Sequence, residues 1–100
     1  MSKIIISDTS CLIALFNVGL LHILKDLFDV IIITPEIKEE FGQGLPNWII
    51  IKQVKNIEKQ SQIEALLDKG ESSAIALALE TENAFLIIDE IKGRKVAKSY

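Results

Sequence analysis

Short apolar runs alternate along this chain with stretches of helical spacing. Lys3 to Ser7 carries Ile4, Ile5 and Ile6 without interleaved polar residues, the pattern of a strand buried on both faces. Asp29 to Thr34 repeats it with Val30, Ile31, Ile32 and Ile33, and Ala84 to Ile88 is a third such run. Between the first two, Leu12, Leu15, Phe16, Leu20, Ile23, Leu24 and Leu27 recur at helical spacing, and Gly19 is placed to split that stretch into two helices. Thr34-Pro35 starts a third helix: Thr can cap free amides, and Pro in the first position forfeits no needed hydrogen bond. Ile37 and Phe41 share its inner face, and the Gly42 to Asn47 stretch ends it. Trp48 to Val54 reads as extended, with its place in the sheet undetermined, and Ile57 to Leu67 reads as a helix. Asp68-Lys69-Gly70 breaks the pattern before another helix, carried by Ala74, Ile75, Ala78 and Leu79, with Ala74, Ile75 and Ala78 on its buried side.

Apolar strands separated by helices long enough to cross over predict an α/β fold, a parallel sheet covered on both faces. After Asp89 only one basic helical segment, ending at Tyr100, remains to cover an edge of that sheet. One hundred residues suit a single domain, 1–100. Hydrophobic residues at 49% and charged ones at 25% are ordinary for a globular chain and argue against disorder.

Charge narrows the function classes. Fourteen acids against 11 Lys and Arg leave a net charge of -3, which weakens the case for a passive binder that neutralises phosphates. Aromatic residues at 6% leave little for a base-stacking platform. Cys11 is the single cysteine, so neither an internal disulfide nor a cysteine-based zinc site can be built, which points to a reducing, cytoplasmic compartment. The three isoleucines before Asp8 are too short for a signal-peptide core, and no run approaches a membrane span.

Acids stand where open α/β sheets place their sites. Asp8 follows the first strand and Asp89 the third, so the carboxyl ends of parallel strands bring both to one edge. Each also precedes a helix and could cap it, and a carboxylate has oxygens enough to do both. Glu40 lies beside the Ile37–Phe41 stripe, as a site residue or as a solvated helix acid. Glu71 opens the later helix, where Asp68 and Glu71 could instead form a capping box. His22 has no partner at zinc-site spacing and Ser10 no histidine to activate it, while Cys11 lies among core-like positions. No phosphate-binding glycine loop follows a strand. Lys92, Arg94, Lys95 and Lys98 form the one basic patch, either solvated helix surface or a hold on phosphates.

Taken in order, Lys3 to Ser10, Thr34 to Phe41, Gly70 to Ala78 and Ile87 to Ala97 resemble a PIN-domain ribonuclease of the VapC-like, toxin-related branch. The resemblance covers nearly the whole chain and implies a three-layer α/β/α fold. It implies that Asp8, Glu40, Glu71 and Asp89 are the catalytic, metal-ligating acids, with Thr9 or Ser10 as a supporting hydroxyl. It also implies Mg²⁺ or Mn²⁺, an RNA substrate, a homodimer and an antitoxin partner. Family domains continue with another strand and helices beyond the point matching Tyr100, and many carry Asp where Glu71 stands. The competing classes are a non-catalytic PIN-like domain that binds a protein partner and a metal-dependent phosphatase or receiver-like domain. No strand-end lysine supports the latter.

Overall fold

A computed structural model describes residues 4–87. Asp89 and the basic patch from Lys92 to Lys98 lie outside the described residues. Four strands form one parallel sheet in the order β3-β2-β1-β4: β1 (Ile4–Ser7), β2 (Val30–Ile33), β3 (Ile49–Ile51) and β4 (Ala84–Ile87). β1 is central, with Ile5 against Ile31 on one side and Phe85 on the other. Covered on both faces, β1 and β2 bury isoleucine after isoleucine: Ile5, Ile6, Ile31, Ile32 and Ile33 are all core residues. The extended Trp48–Val54 stretch contributes β3, an edge strand beside β2.

The strand-to-strand connections carry the helices α1 (Thr9–Asn17), α2 (Ile23–Leu27), α3 (Pro35–Phe41), α4 (Ile57–Glu64) and α5 (Lys69–Leu79). The chain is a three-layer α/β/α fold, as its alternating pattern predicts. Gly19, with φ of 72°, sits between α1 and α2, and Gly42, with φ of 67°, closes α3 in the left-handed conformation that an L side chain resists. Thr34 caps α3 by accepting from the Ile37 amide at 3.2 Å, with Pro35 opening the helix.

α5 departs from a one-sided helix. Every residue from Gly70 to Leu77 is buried, whereas Ala78, expected inside, is only partly buried and Leu79 is half exposed. The cause is position: α5 packs against α3, α4, β1 and β4, so its first two turns are enclosed on several sides. Small residues (Gly70, Ser72, Ser73, Ala74 and Ala76) let those neighbours approach. Lys69 and Gly70, read as a break, are its first helical residues, with Asp68 as the cap. Among the described residues no helix is long and apolar enough to cross a membrane.

Candidate functional site

The chain leaves β1 toward β2, then returns from β3 to the opposite edge as β4. Such a reversal opens a crevice at the carboxyl ends of the strands on either side of it, here β1 and β4. Asp8 is the first residue beyond β1 at that point. Its amide donates to the Ile87 carbonyl at 2.9 Å, extending the β1–β4 ladder, and the residue is wholly buried. Asp8 Oδ1 accepts from the Cys11 amide at 2.9 Å, so the capping role foreseen for it is real.

Glu40 reaches the same edge from α3. Thr9, at the start of α1, donates its hydroxyl to Glu40 Oε1 at 2.9 Å. The Glu40 carboxyl group lies directly over Gly70: a Cβ added there would overlap Oε1 and stand 2.9 Å from Cδ, with Thr9 Oγ1 at 3.0 Å. A helical glycine lowers helix propensity, and here the close approach of the Glu40 carboxylate leaves no space for a side chain.

Glu71 follows in the first turn of α5. Its residue is buried, with Oε2 withdrawn from solvent. Asp68 Oδ1 accepts from the Glu71 amide at 2.9 Å, the forward half of the capping arrangement weighed from the sequence. Thr9, Ser10, Ile13, Glu40, Asp68 and Glu71 together line a cavity of about 330 Å³. Lys69 faces a neighbouring cavity of about 300 Å³ with Glu36, Glu39 and Glu40.

Of the four acids singled out by sequence, Glu40 and Glu71 therefore share one cavity. Asp8 is buried one residue before the Thr9-Ser10 wall, and Asp89 lies outside the described residues. Thr9 and Ser10 both line the cavity, with Thr9 in contact with Glu40. Sequence reasoning considered Asp68 only as a cap and missed Gly70 as a contact surface. The signal for Gly70 was present in its position just inside a helix, beside a candidate acid.

His22 is exposed just before α2. Cys11 is half-buried, and burial pushes its thiol up from the ordinary value. A hydrogen bond with Ser7 partly offsets that rise, and the Asp8 charge adds to it. A raised pKa works against the thiolate, which is the nucleophilic form.

Carboxylate and hydroxyl oxygens are hard donors, suited to Mg²⁺ or Mn²⁺ rather than to softer metals. In kind, then, the donors fit such a cation. In number, the described residues do not close a site around one: among them no three Asp, Glu, His or Cys side chains group in a way that could hold a metal ion.

A family model described as a PIN domain (DUF3368) matches residues 4–100. No curated protein and no solved structure matches the chain.

Proposed function

Because this chain belongs to the PIN-domain family, whose model spans nearly all of it, we propose that it is a metal-dependent endoribonuclease of the VapC-like, toxin-related kind. The observation that carries this reading is the cavity at the carboxyl end of β1, lined by both Glu40 and Glu71 with Thr9 and Ser10, the residues that follow Asp8. Asp8 and Asp89 are assigned as the principal ligands of Mg²⁺ or Mn²⁺. Asp89 stands two residues beyond Ile87, which pairs with Ser7, and two residues of chain span at most about 7 Å. Capping does not disqualify Asp8, since a carboxylate offers lone pairs enough for capping and metal binding to coexist.

When bound, the cation supplies positive charge to a scissile phosphate and acidifies an attacking water. The side chains have their own work. Thr9 orients the Glu40 carboxylate by donating to one of its oxygens, and the Asp68 cap fixes the turn that presents Glu71. Glu40 and Glu71 complete the ligand set directly or through waters, and either can orient the water that attacks. In the same reading the chain acts as a homodimer, and an antitoxin protein covers the cavity.

RNA incubated with the purified chain tests the proposal. Cleavage that needs Mg²⁺ or Mn²⁺ and stops in excess EDTA is the expected result. A folded chain that binds neither ion and leaves RNA intact would instead be a non-catalytic PIN-like interaction domain.

A further inference from the structure

Two buried hydroxyls from distant parts of the chain meet between β2–α3 and α5. Thr34 Oγ1 and Ser73 Oγ lie 2.6 Å apart, and neither residue is exposed to solvent. The direction of that hydrogen bond follows from the neighbours. Ser73 donates its single hydrogen to the Gly70 carbonyl at 2.8 Å, so it accepts from Thr34. Thr34 in turn accepts from the Ile37 amide at 3.2 Å. The result is a one-way chain, from the Ile37 amide through Thr34 and Ser73 to Gly70.

Its two ends belong to the helices that carry the acids. Thr34 joins β2 to α3, whose last turn bears Glu40. Ser73 belongs to α5, whose first turn bears Gly70 and Glu71. The helices pack on each other, and at Gly70 the Glu40 carboxylate leaves no room even for a methyl group. Close packing already restricts how α3 sits on α5, and a short hydrogen bond between buried hydroxyls adds a fixed point that tolerates only a few tenths of an ångström.

We infer that Thr34 and Ser73 are positioning residues: their hydroxyl pair locks α3 to α5 and so holds Glu40 against Gly70 and beside Glu71. This rests on the ribonuclease reading in so far as the carboxylate spacing it sets is that required by a divalent cation.

Amide NMR spectra of the full chain, recorded without metal and then through a Mg²⁺ titration, test the inference. Ser73→Ala should shift the Thr9 and Glu40 amide signals in the metal-free protein and weaken Mg²⁺ binding at least about tenfold, the usual scale for residues that orient ligands. Thr34→Ser keeps the hydroxyl and should match the wild type in both. A hydroxyl pair that merely stabilised the core would lower the melting temperature and leave those signals and that affinity in place. That outcome in folded Ser73→Ala overturns the inference, and Ser73→Cys, a weak donor of similar size, serves the same comparison if the alanine variant does not fold. Should the wild type itself take up no Mg²⁺, the ribonuclease reading fails, and the metal-free Thr9 and Glu40 shifts alone decide the lock.

Discussion

The carboxyl group of Glu40 occupies the space that a Cβ on Gly70 would fill. One residue lies in the last turn of α3 and the other in the first turn of α5, so the absence of a side chain at one makes room for the side chain of the other. Helix propensity and site geometry therefore oppose each other at position 70. Alanine would favour the helix by about 1 kcal/mol. Its methyl group would also push the Glu40 carboxylate away from Thr9. The displaced group is the end of a flexible, exposed side chain, which can swing into solvent at small cost.

Gly70→Ala should accordingly separate stability from activity. Urea unfolding is expected to give a stability within about 1 kcal/mol of the wild type, or slightly above it. Metal-dependent RNA cleavage should fall about tenfold or more as Glu40 leaves its place. Full activity in the alanine variant would show that the Glu40–Gly70 contact has no part in catalysis.

How much of this was legible beforehand depends on the range of the interactions involved. The isoleucine runs, the Thr34-Pro35 start and the Gly19 and Gly42 breaks are local signals, and each appears where the pattern puts it. The order of β3 was not readable, because three isoleucines at an edge look like three isoleucines anywhere until the crossovers are known. α5 was misread as one-sided because its enclosure comes from four other elements. At the candidate site, the helix positions of Glu40 and Glu71 left each open between a site acid and a surface or capping residue, and only the family resemblance singled them out, whereas the Thr9–Glu40 bond and the Thr34–Ser73 pair join residues 31 and 39 apart. No spacing rule reaches that far.

Cys11 supplies a pH signature. Burial is the main reason its thiol titrates above the ordinary 9.0, with the Asp8 charge adding to the shift and the Ser7 hydrogen bond opposing it. Above about pH 9 the unfolded chain releases this proton while the folded chain retains it. The native state then binds more protons, so stability is undiminished below that pH and declines as pH rises through the folded value. Urea midpoints of the wild type and Cys11→Ala, compared from about pH 7 to 10, should diverge only at the alkaline end, with the wild type losing more. Parallel curves would remove Cys11 as the source.

Assembly offers another test. Ile13, Phe16 and Leu20 leave large apolar surfaces exposed on α1 and the turn after it, and Ile13 also borders the cavity. Phe16 meets the buried Phe41 ring edge-on at 5.5 Å, which holds one side of it and leaves the rest outward. Light scattering of the pure chain should report twice the monomer mass at micromolar concentration, and substituting Leu20→Glu should reduce it to one. A monomer over a wide concentration range would rule out the homodimer.

Asp8→Asn distinguishes the two roles open to the buried acid. Its Oδ1 accepts from the Cys11 amide, and asparagine retains an oxygen in that place. The cap should survive, because asparagine keeps both the size of the side chain and the accepting oxygen. The melting temperature should therefore stay close to that of the wild type. Asp8→Ala, by contrast, loses the cap, worth about 1 kcal/mol, or about 4 to 8 °C for a domain of this size. What asparagine cannot supply is the negative charge that holds a cation. Metal-dependent RNA cleavage should fall at least about 100-fold in Asp8→Asn, beyond the loss expected from disturbing an outer residue. The melting temperature and the cleavage rate, measured on the same preparation, make the comparison direct. An acid that only capped α1 would give an asparagine variant indistinguishable from the wild type in both. Robust cleavage by purified Asp8→Asn would thus exclude Asp8 from the ligand set, whereas lost cleavage at unchanged melting temperature assigns it to the metal.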